Sequence, residues 1–149
     1  MNFVFFGSPE FAKIILDKLI KADFIPIAVV CNPDRPVGRK KIITPPSVKQ
    51  FLTTRPGSIE ILQPENLKIE NFKLKIKDAD FGIVAAYAKI IPKEIIDSFK
   101  MGVIGVHPSL LPRHRGASPI QQTILDRDNE AGVSLFMIDE GVDNGPVLV

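Results

Sequence analysis

Cysteine, histidine and tryptophan are scarce in this chain, and each shortage excludes a class of protein. Among the 149 residues, Cys31 is the only cysteine, so no internal disulfide can form and a reducing compartment such as the cytoplasm is indicated. With only two histidines, a zinc site would have to use carboxylates, and we expect no metal. The absence of tryptophan and the presence of one tyrosine argue against a nucleic-acid platform built on base stacking.

Long apolar runs and a large net charge are also missing. The N-terminal apolar run at residues 3–6 is too short for a signal peptide, and no stretch approaches the ~18 residues of a membrane span. The 19 Lys and Arg residues against 17 Asp and Glu residues leave a net charge of +2. That balance excludes a polyanion-binding surface over the whole molecule but allows a local basic patch. We therefore expect a cytoplasmic protein with no membrane partner, and nothing here implies a protein partner.

The order of apolar runs and turns predicts an α/β fold. An apolar run at residues 2–6 predicts a buried strand, and the following helix is expected to have Ser8 as its cap and Pro9 at its first position. A second run at residues 25–30 completes a strand–helix–strand unit, which requires parallel strands. Further strands are expected at 59–62, 80–86, 102–106, 132–138 and 146–149, and helices at 47–52, 65–77, 92–99 and 117–126. This pattern predicts an open, mainly parallel twisted sheet with helices on both faces.

Such a sheet binds ligands beyond the carboxyl ends of its strands, so the segments that follow strands are the candidate site. His107 ends a central strand and is followed by Leu110 and Leu111, an apolar loop suited to a flat ligand. Asp143 is expected after the next strand and could orient the imidazole. A single histidine is more often a packed core residue than a catalyst, so both interpretations stay open. The turn at Gly7 lacks the G-x-G-x-x-G fingerprint, which disfavours a nicotinamide cofactor.

A stretch without acidic residues follows the second strand. Between residues 35 and 59 the charged side chains are all basic, namely Arg35, Arg39, Lys40, Lys41, Lys49 and Arg55. Residues 31–46 are expected to form a long loop, and loops of that length in compact domains are usually functional or disordered. The local positive field could contact the phosphates of a nucleic acid or a phosphorylated ligand. The alternative is a solvated loop whose charges only aid solubility.

Six segments, in order along the chain, resemble the methionyl-tRNA formyltransferase family, a branch of the folate-dependent formyltransferases. They are residues 6–12 (FGSPEFA), 33–39 (PDRPVGR), 63–64 (QP), 85–87 (AAY), 109–116 (SLLPRHRG) and 141–145 (GVDNG). The 109–116 string is specific to the superfamily, while the first two segments separate its tRNA-directed branch from the sugar and glycinamide-ribonucleotide branches. The resemblance implies a Rossmann-like catalytic domain over residues 1–149, truncated at its C-terminal end, and a C-terminal β-barrel domain that the chain lacks.

The resemblance also implies a reaction and a set of site residues. A formyl group would pass from 10-formyltetrahydrofolate to the amino group of methionyl initiator tRNA, without a metal. The implied catalytic positions are His107, Asp143 and Gly105. The folate positions are Tyr87, Ile90, Ser109, Leu110, Leu111, Pro112, Asp139, Glu140, Gly141 and Val142. The tRNA positions are Arg35, Arg39, Lys40 and Lys41, and the pocket for the methionyl group would use Phe6, Ser8 and Phe11.

Gly105 departs from the family pattern, in which an asparagine stands two residues before the histidine. An asparagine there could donate to the oxyanion of the reaction, and losing one such donor costs roughly 10²–10³ in rate. Two alternatives therefore stay open. One is formylation of an amino-sugar nucleotide, which the basic loop disfavours. The other is a non-catalytic remnant that binds tRNA or folate, which Gly105 and the truncation favour.

Overall fold

A six-stranded sheet forms the centre of the chain in a computed structural model that describes residues 1–55, 57–67, 72 and 76–149. Its strands are β1 (Phe3–Gly7), β2 (Ala28–Val30), β5 (Glu60–Leu62), β6 (Phe81–Ala85), β7 (Val103–His107) and β8 (Ser134–Met137). They lie in the order β5-β2-β1-β6-β7-β8. All neighbouring pairs are parallel except β7 and β8, which are antiparallel and place Ser134 opposite His107. The mainly parallel sheet predicted from the sequence is confirmed.

Apolar side chains fill both faces of this sheet. Because side chains alternate along a strand, Val4 and Phe6 of β1 enter one core while Phe3 and Phe5 enter the other. The described helices are α1 (Glu10–Lys21), α2 (Ser47–Thr53), α3 (Lys93–Ile96) and α4 (Pro119–Leu125). Buried residues of α1 and α2 join the core that contains Phe3, and α3 packs into the core that contains Phe6. Helices on both faces are therefore confirmed.

The turn between β1 and α1 differs from the prediction. Pro9, not Ser8, is the residue that caps α1. The Ser8 hydroxyl instead accepts the backbone N–H of Asn32 at 2.9 Å, because the loop that follows β2 lies beside this turn. A Cβ on Gly7 would lie 2.7 Å from the carbonyl oxygen of Ala85, so the turn requires glycine. Ser8 thus joins two loops at the carboxyl edge of the sheet.

Residues 31–46 contain a β-hairpin where the sequence predicts only a loop. Its strands are β3 (Arg35–Val37) and β4 (Ile42–Thr44), which pair antiparallel. Gly38 and Lys41 have positive φ values of 71° and 48°, which close the four-residue turn. The β-branched residues of β4, Ile42, Ile43 and Thr44, favour a strand, but apolar and polar residues do not alternate along this segment. Val37, Ile42 and Ile43 are exposed, so the hairpin stands clear of both cores.

The remaining predicted elements have three outcomes. The helix expected at 65–77 falls largely on residues outside those described, although Phe72 and Ile76 are buried. The run at 146–149 pairs with β8 through an antiparallel bridge between Phe136 and Val147. The other predicted strands and helices are present with shifted ends. Within the described part of the chain, no helix has the length and apolar character to cross a membrane.

Cys31 gives the fold a measurable dependence on pH. It is fully buried beside β5, and burial raises the pKa of its thiol from 9.0 to about 11. A raised pKa in the folded state contributes stability below 9.0 that is lost as the pH rises towards 11. The loss amounts to at most about 3 kcal/mol, at 1.36 kcal/mol per pH unit.

We therefore expect the free energy of unfolding, measured in urea, to fall over this pH range. Burial also raises the pKa of Tyr87 to about 12, so part of the dependence comes from the phenol. Cys31→Ala should be less stable at neutral pH but should lose less stability between pH 9.0 and about 11. Identical pH profiles for the parent and Cys31→Ala would contradict this assignment.

Candidate active site

A cavity of about 800 Å³ lies at the carboxyl edge of the sheet. The segments after β1, β2 and β6 contribute Ser8, Asn32 and Tyr87 to its wall, and β7 contributes His107. Arg35 of the hairpin completes one side. The cavity thus lies at the edge of the sheet where open α/β sheets bind ligands.

His107 is buried at the end of β7 and has a partner at each ring nitrogen. Its Nε2 lies 2.8 Å from the backbone oxygen of His114. A carbonyl oxygen only accepts, so Nε2 carries a hydrogen and donates it. Its Nδ1 lies 3.4 Å from Oδ2 of Asp143. In a neutral ring held in this way, the lone pair of Nδ1 faces the Asp143 carboxylate.

Asp143 reaches His107 by a route that the sequence did not predict. The loop that carries it was expected to follow a parallel strand, but β8 is antiparallel, so the loop starts at the opposite edge of the sheet. The loop that follows β8 crosses to His107 by itself, and only after Asp143 does the chain pair back along β8, where Gly145 allows a close approach to the carbonyl oxygen of Met137. Oδ2 of Asp143 then accepts the backbone N–H of Gly116 at 2.8 Å. The predicted proximity to His107 is present, although its stated reason was wrong.

The loop between β7 and α4 (residues 108–116, the 108–116 loop) is anchored at several points. The hydroxyl of Ser134 on β8 donates to the carbonyl oxygen of Ser109 and accepts the N–H of Leu111, both at 3.0 Å. The hydroxyl of Ser109 donates to the carbonyl oxygen of Arg113 at 2.6 Å. The side chain of Leu110 lies over Gly132. These contacts hold the apolar part of the loop outside the cavity.

The residues proposed from the sequence therefore separate into groups. Along the large cavity lie Gly105, His107, Asp143, Tyr87, Ser8 and Arg35. A second cavity of about 390 Å³ beside α3 is lined by Asp139, Glu140 and Gly141, and Ile138 lines both cavities. The lining of neither cavity includes Ile90, Ser109, Leu110, Leu111, Pro112, Val142, Phe6 or Phe11. Of these, Phe6 is wholly buried in the core, and Ile90 is 92% exposed.

Phe136 is a site residue that the sequence analysis missed. It pairs with Gly105 across β7 and β8, and its ring occupies the space that a side chain at position 105 would need. The same ring packs edge-on against His107, with centroids 6.4 Å apart. A glycine inside a strand indicates such a close approach, so Gly105 was the available signal. The site thus has an aromatic wall where the family pattern has an amide.

The basic field is smaller than the sequence suggested. Lys49 lies 2.8 Å from Asp34, and Arg55 lies 3.0 Å from Asp17, so both charges are neutralised locally. Hydrogen bonds from Lys49, and then from Gln63, lower the pKa of Asp34. Arg35 lies 3.5 Å from Glu65 at an exposed position. The hairpin tip carries the three other basic residues of the stretch, Arg39, Lys40 and Lys41, for which the described residues supply no ion-pair partner within 4.0 Å.

Among the described residues, no three His, Cys, Asp or Glu side chains form a group that could hold a metal ion.

A hydrogen-bonded brace lies at the base of the hairpin and consists of Ser8, Asn32, Lys49 and Gln63. Gln63 donates to the backbone oxygen of Asn32 at 2.8 Å and accepts from Lys49 at 2.7 Å. This brace fixes the base of the hairpin against the ends of β1 and β2.

Residues 1–149 match the formyl transferase family. The chain belongs to this family. It is 46% identical over 149 residues to methionyl-tRNA formyltransferase of Campylobacter lari, covering 99% of this chain and 48% of the relative. The chain therefore spans about half the length of the curated relatives it matches.

Solved structures of formyltransferases share the fold. Phosphoribosylglycinamide formyltransferase of Bacillus halodurans superposes with a TM-score of 0.75 at 20% identity, over 100% of this chain and 77% of that one. The formyltransferase PseJ of Anoxybacillus kamchatkensis, solved with a formamido sugar nucleotide and tetrahydrofolate, gives a TM-score of 0.57 at 23% identity. That match covers 100% of this chain and 58% of the other. The Rossmann-like character of the sheet is thereby confirmed.

Proposed function

We propose that this chain is the catalytic part of a cytoplasmic enzyme that transfers a formyl group from 10-formyltetrahydrofolate to the amino group of methionyl initiator tRNA. The observation that carries the proposal is the His107–Asp143 pair, 3.4 Å apart, in a cavity bordered by a hairpin with a basic tip. The 46% identity to a methionyl-tRNA formyltransferase supports the choice of acceptor. A C-terminal β-barrel domain, as the resemblance implies, would extend the tRNA-binding surface.

The cavity suits a folate and an aminoacyl end together. Its volume of about 800 Å³ falls in the usual range for small-molecule sites, and Phe136 and Ile138 give it an apolar end. We place the folate at this end, next to the second cavity with Asp139, Glu140 and Gly141. The aminoacyl end would enter from the side of Arg35 and Ser8. Folate contacts for the predicted residues outside both cavities, Ile90, Ser109, Leu110, Leu111, Pro112 and Val142, remain predictions, as does a methionyl pocket at Phe6 and Phe11.

In the proposed reaction the folate supplies an activated formyl group. The amine of the acceptor forms a bond to the formyl carbon, the bond from that carbon to N10 of the folate breaks, and a proton passes from the amine to N10. Asp143 and His107 are placed to take the amine proton and to return one to the leaving nitrogen. Once His107 has accepted the proton at Nδ1, the positive charge of its ring also stabilises negative charge on the formyl oxygen. Phe136 shields this side of the pair from water.

Transfer assays with several acceptors test the proposal directly. We expect this chain, given 10-formyltetrahydrofolate and methionyl-tRNA, to release formylmethionine after hydrolysis of the product. Asp143→Asn keeps the acceptor for the Gly116 N–H but cannot take a proton, so the single-turnover rate should fall by roughly 10²–10⁴. Formylation of an amino-sugar nucleotide alone would overturn the choice of acceptor. Folate or tRNA binding without transfer would identify the chain as a non-catalytic remnant.

Phe136 determines whether an amide donor can be restored at position 105. Gly105→Asn alone should not raise the rate, because the new Cβ would overlap the Phe136 ring and displace it against His107. Gly105→Asn combined with Phe136→Ala has room for the amide. We expect this double variant to exceed the Phe136→Ala variant by up to about 10² in single-turnover rate. A double variant no faster than Phe136→Ala, with intact folate binding, would show that no donor is missing.

Arg39 tests the proposed tRNA contact of the hairpin. Arg39→Ala should weaken tRNA binding and reduce the slope of log affinity against log salt by about 1, because one phosphate contact is lost. Arg55→Ala is a matched control, since it removes the same charge from a residue that pairs with Asp17. Folate affinity should change in neither variant. Equal tRNA affinities and salt slopes for the parent and Arg39→Ala would contradict the contact.

A further inference from the structure

A buried carboxylate lies behind the 108–116 loop, away from both cavities. The side chain of Asp128 is 7% exposed, and its Oδ2 accepts a hydrogen bond from Nε2 of His114 at 2.6 Å. Its other oxygen pairs with Arg113. Asp128 follows α4, and its own N–H donates to the carbonyl oxygen of Thr123 at 3.1 Å. The proposed reaction does not use this cluster.

His114 connects that carboxylate to the active site. Its side chain is bound to Asp128, while its backbone oxygen accepts the hydrogen of Nε2 of His107 at 2.8 Å. Its φ is +54°, a left-handed conformation that is unfavourable for a residue with a Cβ. The Asp128 hydrogen bond therefore holds a backbone geometry that the residue would not otherwise favour. One residue thus carries a restraint from the far side of the loop to the imidazole.

We propose that Asp128 and His114 are positioning residues that hold His107 in the tautomer with its hydrogen on Nε2. Without this restraint, a neutral His107 would donate from Nδ1 to Asp143, because a carboxylate is a stronger acceptor than a carbonyl oxygen. With the restraint, Nε2 is committed to His114, and Nδ1 keeps its lone pair beside Asp143. The ring is thereby prepared to accept a proton at Nδ1. The use of that proton rests on the proposed function, whereas the tautomer does not.

The charged groups around the imidazole rings of His107 and His114 are consistent with a hydrogen on Nε2 of His107. The hydrogen bond from His114, and then the charge of Arg113, lower the pKa of Asp128 against the effect of burial, so Asp128 stays a carboxylate acceptor. Asp126 faces the other nitrogen of His114 at 3.8 Å and is 45% exposed. Asp143 is the charged partner that faces His107. Nitrogen NMR can resolve both rings, since the chain has only two histidines.

The test measures the imidazole ¹⁵N shifts of the 149-residue chain without any substrate. In the parent at a pH where His107 is neutral, we expect the hydrogen on Nε2. In Asp128→Ala, which removes the acceptor for His114, and in His114→Leu, the hydrogen should move to Nδ1, which would exchange the two nitrogen shifts of His107. His114→Gln keeps a donor towards Asp128 and should restore the parent pattern. Asp126→Ala, the same change at an exposed neighbour, should leave His107 as in the parent.

Unchanged His107 shifts in folded Asp128→Ala and His114→Leu would overturn the proposal. If Asp128→Ala does not fold, His114→Leu compared with His114→Gln decides the question alone. A tautomer change in a chain that transfers no formyl group would support this proposal while contradicting the proposed function. In an active chain, we also expect a loss of about tenfold in kcat with KM unchanged for His114→Leu and recovery for His114→Gln.

Discussion

Two backbone groups of the 108–116 loop hold both members of the central pair. The carbonyl oxygen of His114 receives Nε2 of His107, and the N–H of Gly116 donates to Asp143. The pair therefore has its geometry only while this loop keeps its shape. Ser134 anchors the start of the loop to β8, and Asp128 anchors its end from beyond α4. The position of the imidazole, the role proposed for Asp143 and the aromatic wall at Phe136 all depend on this loop.

The parallel sheet explains why so many loops meet at one edge. Parallel strands all end at the same edge of a sheet. The segments that follow β1, β2, β6 and β7 therefore lie close together at that edge. Close contacts then determine the local geometry of the site: Gly7 packs against the carbonyl oxygen of Ala85, and Gly105 packs against the ring of Phe136. The brace of Ser8, Asn32, Lys49 and Gln63 fixes the hairpin to this edge. We propose that the sheet edge holds the folate and that the hairpin meets the tRNA.

Much of this arrangement could be predicted from local patterns, and the rest depends on contacts between distant residues. The buried run of β1 and the helix after it are encoded in adjacent residues, as is the end of β7 at His107. Adjacent residues do not encode the direction of β8, because an alternating pattern is the same in a parallel and in an antiparallel strand. The hydroxyl of Ser8 fits a helix cap equally well until the loop with Asn32 lies beside it. Likewise, Gly105 indicates a close neighbour, but only the β7–β8 register identifies Phe136.

Ligand mapping tests most directly whether the cavity at the carboxyl edge is the folate site. Tetrahydrofolate would be titrated into labelled protein while the resonances of the single tyrosine, Tyr87, and of His107 are followed. We expect saturable shifts at His107, Tyr87 and Phe136, with smaller ones at Leu110 and Ile90. Shifts confined to Leu110, Pro112 and Ile90, with His107 and Tyr87 unchanged, would contradict this assignment and place the folate outside the cavity.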